Sequence, residues 1–330
     1  MLASLLIASS LTAAPSVEEV TFTGATGLKL SGELMLPEGD GPFPCALLLP
    51  GSGPTDRDGN QPGFKTDLHK QIAEHLAGEG VATFRFDKRP VARYLKQWPS
   101  LTDAEALSEF FSFENHVADV AAAYKAMTAH KSVDGTRCAI VGHSEGGLFA
   151  SWEAHLLKPK TVVLIGTAGQ TLEGVIRYQI GRNLSQPGVT PELRKQITDS
   201  NEAAMKSLIA NGTIPKDTHA GLVALYNPSA LSLVRSYLTI DPVVSLAEYD
   251  GPVLVMNGEK DVQVRAKVDL PLLMSALERR KAGVQEKFIV PGASHNLKAV
   301  ESETDPGIAG PAVPAALEKL AEWLKAQLSK

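Results

Sequence analysis

One run in this chain has residue types and spacing that directly imply chemistry: Gly142-His143-Ser144-Glu145-Gly146, followed by Gly147. A serine with glycines two positions to either side is the pattern of a sharp strand-to-helix turn. Side chains beside the serine would collide in such a turn, so glycine is needed there. The serine Oγ is then held clear of the backbone at a helix N-terminus, whose dipole favours developing negative charge. This arrangement suits attack by an oxygen nucleophile on an acyl carbon. The plainer alternative is a glycine-rich turn in which Ser144 caps a helix.

A neutral hydroxyl is a weak nucleophile and needs a base, itself oriented by an acid. For a turn of this kind the partners follow in chain order, acid and then histidine, each in a loop after a strand. Of eight histidines only His295 lies beyond Asp261, in the run Pro291-Gly292-Ala293-Ser294-His295. His69, His75, His116 and His155 fall in helical stretches, and His143 belongs to the turn itself, with its ring packed beneath it. We therefore assign His295 as general base and Asp261 as its acid. Glu259 in the same loop is the rival acid, and a solvated loop charge or helix cap is the non-catalytic reading of Asp261. Acyl transfer also needs N–H donors for the oxyanion. The backbone of Glu145 supplies one, and the loop Pro50-Gly51-Ser52-Gly53 supplies the other, from Ser52 or, next, Gly51. That loop matches neither G-x-x-x-x-G-K-[ST] nor G-x-G-x-x-G, which argues against a phosphate cradle.

The elements that must position these residues are legible in the pattern. Val17–Thr23 and Leu28–Leu36 alternate apolar and polar around Gly24–Gly27, a hairpin signature. Cys45–Leu49, Val81–Phe86, Arg137–Val141 and Thr161–Ile165 read as strands. Helical stripes lie between them, at Leu68, Ile72 and Leu76 and at Val117, Val120, Ala121, Tyr124 and Met127, with a helix from about Gly146 to Leu157. Strand and helix alternation predicts an α/β fold with a mostly parallel sheet covered on both faces. From 170 to 250 the strands stop, then resume at Pro252–Met256 and Glu286–Val290, with helices Val268–Lys281 and Pro314–Leu328. The interruption is too long for a simple loop. The expected division is a core of 15–169 and 251–330 with a helical cap over 170–250.

Composition narrows the partners. The chain has 330 residues, a formal charge of −5 and 44% hydrophobic residues, which excludes a disordered chain. The acidic balance argues against nucleic acid and anionic membranes. Residues 1–14 (MLASLLIASSLTAA) read as a secretory leader, although no Lys or Arg precedes the apolar run and Pro15 follows it. Export to the periplasm or the medium is the expectation, and no stable membrane insertion after leader removal. Cys45 and Cys138 open apolar strands and read as buried, inert thiols. No Cys or His spacing indicates zinc. Asp56, Asp58 and Asn60 begin like a calcium loop, but Gln61 and Pro62 occupy positions that need glycine and a flexible carbonyl donor. For Arg85, Asp87, Lys88 and Arg89 we expect ion pairing with Asp56 or Asp58 that fixes the oxyanion loop, ahead of direct substrate binding.

Five segments, LLLPGSGPTDRDGN, FRFDKR, VGHSEGG, PVLVMNGEKDVQV and PGASHNLK, together resemble an α/β-hydrolase of the capped carboxylesterase branch. They span nearly the whole chain after the leader. The resemblance implies an eight-stranded, mostly parallel sheet, a helical cap, a Ser144-Asp261-His295 triad and no cofactor. Two departures stand out: Pro90 follows Asp87-Lys88-Arg89 where relatives often have glycine, and Pro50 precedes Gly51 where many have histidine. The expected reaction is hydrolysis of small-molecule carboxylic esters of short to medium acyl length through an acyl-enzyme. Apolar cap residues, among them Ile176, Tyr178, Met205, Leu208, Leu222, Tyr226, Val234 and Tyr237, are expected to contribute an acyl pocket. Thioester, lactone or peptide hydrolysis would use the same triad. A non-catalytic binding protein of this fold would be expected to lack a triad member.

Overall fold

The computed structural model describes residues 15–302 and 305–329, so the leader expectation lies outside the described residues. The chain forms an eight-stranded sheet: β1 (Ser16–Thr23), β2 (Lys29–Leu36), β3 (Phe43–Leu49), β4 (Ala82–Phe86), β5 (Val133–His143), β6 (Thr161–Ile165), β7 (Val253–Gly258) and β8 (Gln285–Val290). Their order across the sheet is β1-β2-β4-β3-β5-β6-β7-β8. The expected hairpin is there, with β1 antiparallel to β2 and β2 antiparallel to β4. All pairs from β4 to β8 are parallel. Parallel strands need crossovers that return over the faces, and these crossovers cover both sides of the central strands. That is why the middle of the sheet reads as continuous Val, Ile and Leu: β6 is buried along its whole length.

The helices are α1 (Leu68–Gly78), α2 (Ala104–Phe110), α3 (Phe113–Thr128), α4 (Glu145–Leu157), α5 (Leu172–Leu184), α6 (Pro191–Asn211), α7 (Leu231–Thr239), α8 (Pro242–Ala247), α9 (Ala266–Glu278) and α10 (Pro314–Leu328). On one face Leu47, Phe84, Ile140 and Leu164 pack against α3, α4, α8 and α9 through Val120, Met127, Phe149, Leu246 and Leu273. On the other, Leu48, Val141, Val163 and Leu254 pack against α1 and α10 through Ile72, Leu76, Leu320 and Leu324. Strand period two thus sorts alternate residues to opposite layers. Cys45 and Cys138 stand opposite one another in the β3–β5 register, both buried and both free thiols.

Residues 170–250 contain helices and no strand, and they carry a hydrophobic cluster of their own: Ile176, Met205, Leu208, Leu222, Tyr226 and Val234. α6 is set locally by Thr190, whose Oγ1 accepts from Leu193 N at 3.2 Å, by Pro191 in its first turn, and by Gly212 in the left-handed region at its end. Two stretches differ from the sequence reading. β5 begins at Val133, four residues early, because Val133 pairs with Phe43 of β3 ahead of a register shift, and Asp134 takes the Thr136 N–H and hydroxyl and the Arg137 guanidinium on its own side chain at that irregularity. Residues 92–111, not assigned from sequence, form a short 3-10 turn and α2, and pack Tyr94, Leu107, Phe110 and Phe111 against Leu28 and Leu30.

Candidate active site

The turn between β5 and α4 has the geometry its glycines imply. Ser144 is a non-glycine residue with φ of 55° and ψ of −119°, a strained backbone for an L-residue. A Cβ at position 142 would stand 2.3 Å from the Gly146 carbonyl oxygen, and one at 146 would stand 2.1 Å from the Leu49 carbonyl oxygen. Gly147 faces Thr167, 1.8 Å from where its Cβ would be. The turn is therefore clamped against β3 and β6, with the Ser144 N–H donating to the Ile165 carbonyl at 2.8 Å.

Parallel strands bring their C-terminal ends to one edge of the sheet, and the predicted acid and base arrive there from β7 and β8. His295 Nδ1 lies 2.7 Å from Asp261 Oδ2, with both side chains buried. Asp261 is held in turn: Oδ1 accepts the Gln263 and Val264 N–H groups at 2.8 and 2.9 Å, and Asn257 Nδ2 lies 3.5 Å from Oδ2. Glu259, the rival acid, is exposed and accepts the Gly292 N–H at 2.9 Å, so it braces the β8 loop and does not reach the imidazole. Gly166, φ 55°, passes so close that a Cβ would lie 3.1 Å from His295 Nδ1. His143 packs beneath the turn as expected, and its Nε2 also pairs with the His295 carbonyl at 2.9 Å. Burial, and next the His295 ring, push the His143 imidazole down to about 3, so it is neutral and donates Nε2–H to that carbonyl.

Ser144 and His295 line one cavity of about 230 Å³ together with Gly51, Ser52, Thr55, Gln61, Phe64, His69, Gln263 and Asn296. Gly51 is close enough that a Cβ on it would sit 3.4 Å from Ser144 Cβ. The backbone N–H groups of Ser52 and Glu145 donate to no protein acceptor among the described residues. No residue of 170–250 lines this cavity, so the expected apolar acyl pocket from the cap is not what the structure shows. Ile176, Met205, Leu208, Leu222, Tyr226 and Val234 pack among themselves, whereas Tyr237 packs against Phe113 and Phe149 and the Tyr178 ring lies 3.7 Å beneath the Arg265 guanidinium.

The acidic and basic residues flanking the site form a buried scaffold. Arg57, which the sequence reading did not single out, bonds Asp87 at 2.8 and 3.1 Å, Glu19 at 2.6 and 3.2 Å, and Ser31 at 2.9 Å. Arg85 pairs with Glu33 and, as expected, with Asp58, at 3.0 Å. Arg89, fully buried, forks onto Asp119 at 2.8 and 2.9 Å. Asp56 Oδ1 is taken by the Asp58 and Asn60 N–H groups, so the segment that resembled a calcium loop is closed by its own backbone. The Arg57 and Arg85 bonds tie residues 57 and 58 to β1, β2, β4 and the residue after β4, and the Arg89 pair ties the chain after β4 to α3. Nothing in spacing alone marks Arg57 as the hub, since its partners lie 26 to 38 residues away.

Comparison with known proteins agrees with this architecture. A model of the alpha/beta hydrolase family matches residues 38–305. Esterase EstD of Thermotoga maritima is 29% identical over 239 residues, 72% of this chain and 51% of that protein. Esterase FrsA of Escherichia coli is 28% identical over 159 residues, 48% of this chain and 33% of its own. The chain thus spans about half the length of the first of these curated relatives and a third of the second. Among solved structures, Est1E from Butyrivibrio proteoclasticus with bound ferulic acid superposes with a TM-score of 0.56 at 16% identity, covering 94% of this chain and 100% of that one. A Pyrococcus furiosus esterase gives 0.57 at 14% identity, covering 95% and 92%. With a family match over most of its length and the sheet order described above, the chain belongs to the alpha/beta hydrolase family.

Proposed function

We propose that the chain is a serine hydrolase acting on small carboxylic esters. One observation carries the reading: a serine strained at the β5–α4 turn opens onto the same cavity as a histidine bonded at 2.7 Å to a buried aspartate. With Nδ1 committed to Asp261, Nε2 is the nitrogen left to accept a proton. Ser144 Oγ attacks the ester carbonyl carbon as its proton passes to His295 Nε2. The carbonyl oxygen becomes an oxyanion, received by the Ser52 and Glu145 N–H groups. The intermediate collapses, the C–O bond breaks, and the imidazolium protonates the departing alkoxide. Water then attacks the acyl-enzyme with His295 again as base; the bond from the acyl carbon to Ser144 Oγ breaks, the imidazolium returns its proton to Oγ, and the acid leaves. Asp261 keeps the imidazole in the useful tautomer and stabilises its charged form. The esterase names of the curated relatives support this choice of bond over thioester, lactone or peptide.

The cavity supports a short acyl group. Its volume is about 230 Å³, and Thr55, Gln61, Gln263 and Asn296 make much of the lining polar. The test is a series of nitrophenyl esters with Ser144→Ala as control. Acetyl and butyryl esters are expected to be cleaved with higher kcat/KM than octanoyl ester, and the alanine variant to be inactive. Hydrolysis by that variant at the wild-type rate would end the covalent mechanism.

A further inference from the structure

Directly behind the nucleophile turn is a buried ion pair that the steps above do not use. Lys88, two residues past β4, places Nζ 2.5 Å from Glu145 Oε2 and 2.8 Å from the Gly51 carbonyl oxygen. Both side chains of the pair are only 6% exposed. An ion pair so placed is a poor source of stability, because desolvation offsets much of the attraction. Its two partners are, however, the two oxyanion elements. Glu145 carries one N–H donor. Gly51 O belongs to the same peptide unit as the other, Ser52 N–H. That peptide is trans, since the cis bond among the described residues is Gly41–Pro42. In a trans peptide C=O and N–H point in opposite directions. A cation fastened to Gly51 O therefore turns Ser52 N–H away from itself, on the strand of chain that borders the Ser144 cavity.

We propose that Lys88 is a positioning residue that locks both oxyanion donors through one ammonium group, by the Gly51 carbonyl on one side and the Glu145 carboxylate on the other. The inference rests on the hydrolase reading and adds to it a residue from outside the triad. Glu145 then has two separable parts: its backbone N–H faces the oxyanion, and its side chain anchors the lysine. The surroundings favour the charged form of Glu145. Burial would raise the Glu145 carboxyl, but the Lys88 ammonium and neighbouring groups hold it below the ordinary carboxylate value. Nearby His116 is pushed down to about 4, chiefly by burial and then by Lys88, so it is neutral and adds no repulsion. Its Nδ1 is engaged by the Ser112 carbonyl at 2.9 Å and its ring stacks on Phe149. The void beside Lys88 is small, about 10 Å³, room for about one water. Ion pairing of Lys88 with Glu145 was not visible in the sequence, where Lys88 is grouped with Arg85, Asp87 and Arg89 as charges that fix the oxyanion loop.

The experiment compares wild type, Lys88→Met and the double variant Lys88→Met/Glu145→Gln, which leaves no uncompensated buried charge and so keeps the fold testable. Each is assayed for kcat and KM on nitrophenyl acetate, for inhibition by a trifluoromethyl ketone whose hemiketal adduct with Ser144 carries an oxyanion, and for melting temperature. Loss of one oxyanion donor lowers kcat on the order of 10²–10³-fold. We expect both variants to lose kcat on that scale with KM within about three-fold. The inhibitor should weaken in parallel, while the melting temperature of the double variant returns toward wild type. A double variant with kcat and inhibitor affinity within about three-fold of wild type overturns the inference and leaves the hydrolase reading standing. A wild-type chain that neither turns over the ester nor forms an adduct at Ser144 overturns both.

Discussion

Replacing Asp261 by asparagine separates the proposed acid from its rival more sharply than any other single change. The carboxylate lies 2.7 Å from His295 Nδ1, with its side chain fully buried. During attack the imidazole becomes positive. Two unit charges about 4 Å apart at an effective dielectric of ~20 interact by about 4 kcal/mol, roughly three decades in rate. Asparagine removes that attraction. It also offers an N–H₂ to a ring nitrogen that already carries a proton, unless the imidazole shifts its proton to Nε2, where it can no longer accept one from serine. The tautomer loss brings the expected fall to about 10⁴ in kcat. Oδ1 still accepts from Gln263 and Val264, so the loop should keep its shape. Glu259→Gln is the paired control. Glu259 is exposed and bonds the Gly292 N–H, an acceptor role the amide oxygen preserves. Its kcat should stay within about two-fold of wild type and its stability within about 0.5 kcal/mol. Steady-state kinetics on nitrophenyl acetate and thermal melts read both. A folded Asp261→Asn enzyme within ten-fold of wild type, or a large loss in Glu259→Gln, would refute the assignment of the acid.

Three further outcomes follow from the packing. Gly146→Ala puts a Cβ 2.1 Å from the Leu49 carbonyl and 2.8 Å from that of Pro50, backbone atoms that cannot rotate away, so it should destabilise by about 3 kcal/mol and depress kcat; Gly181→Ala, with open space around it, should stabilise by about 0.5–1 kcal/mol, both read by denaturant titration. Glu153 is buried, and burial pushes its carboxyl up to about 7. The unfolded chain loses that proton near 4.5 and the folded one near 7, so stability falls as pH rises between the two values, and Glu153→Gln should raise the melting temperature at pH 8 and leave it unchanged at pH 4. Burial also raises the thiols of Cys45 and Cys138, so neither should react with a disulfide reagent until denaturant is added.

Much of the candidate site could be read from the chain because a short motif and the chain order of the strands mark it. Gly142 is dictated by a close approach within the turn, Gly146 and Gly147 by approaches to Leu49 and Thr167 that the same glycine pattern anticipates, and β7 and β8 deliver Asp261 and His295 to the edge that any parallel sheet creates. The scaffold was less legible. That Arg57 would bridge Glu19, Ser31 and Asp87, or that Lys88 would bridge Gly51 and Glu145, depends on which loops lie side by side, and residue type reveals charge without naming the partner. The helical stretch 170–250 shows the same limit. Its apolar periodicity marks Ile176, Met205, Leu208 and Tyr226 as buried, and they are, but period cannot say against what, and they face one another and not Ser144. Residues 92–111 were missed because Pro90, Pro99 and the polar stretch around Thr102 interrupt any regular stripe, leaving Tyr94, Leu107 and Phe110 to be gathered by tertiary contact with Leu28 and Leu30.

Intact-mass analysis and peptide mapping after treatment with a fluorophosphonate test the central claim most directly. The account predicts a single adduct on the peptide carrying Ser144, formed by the wild type, slowed by Asp261→Asn and absent from Ser144→Ala. An adduct on another residue, or equal labelling of Ser144→Ala, would contradict it.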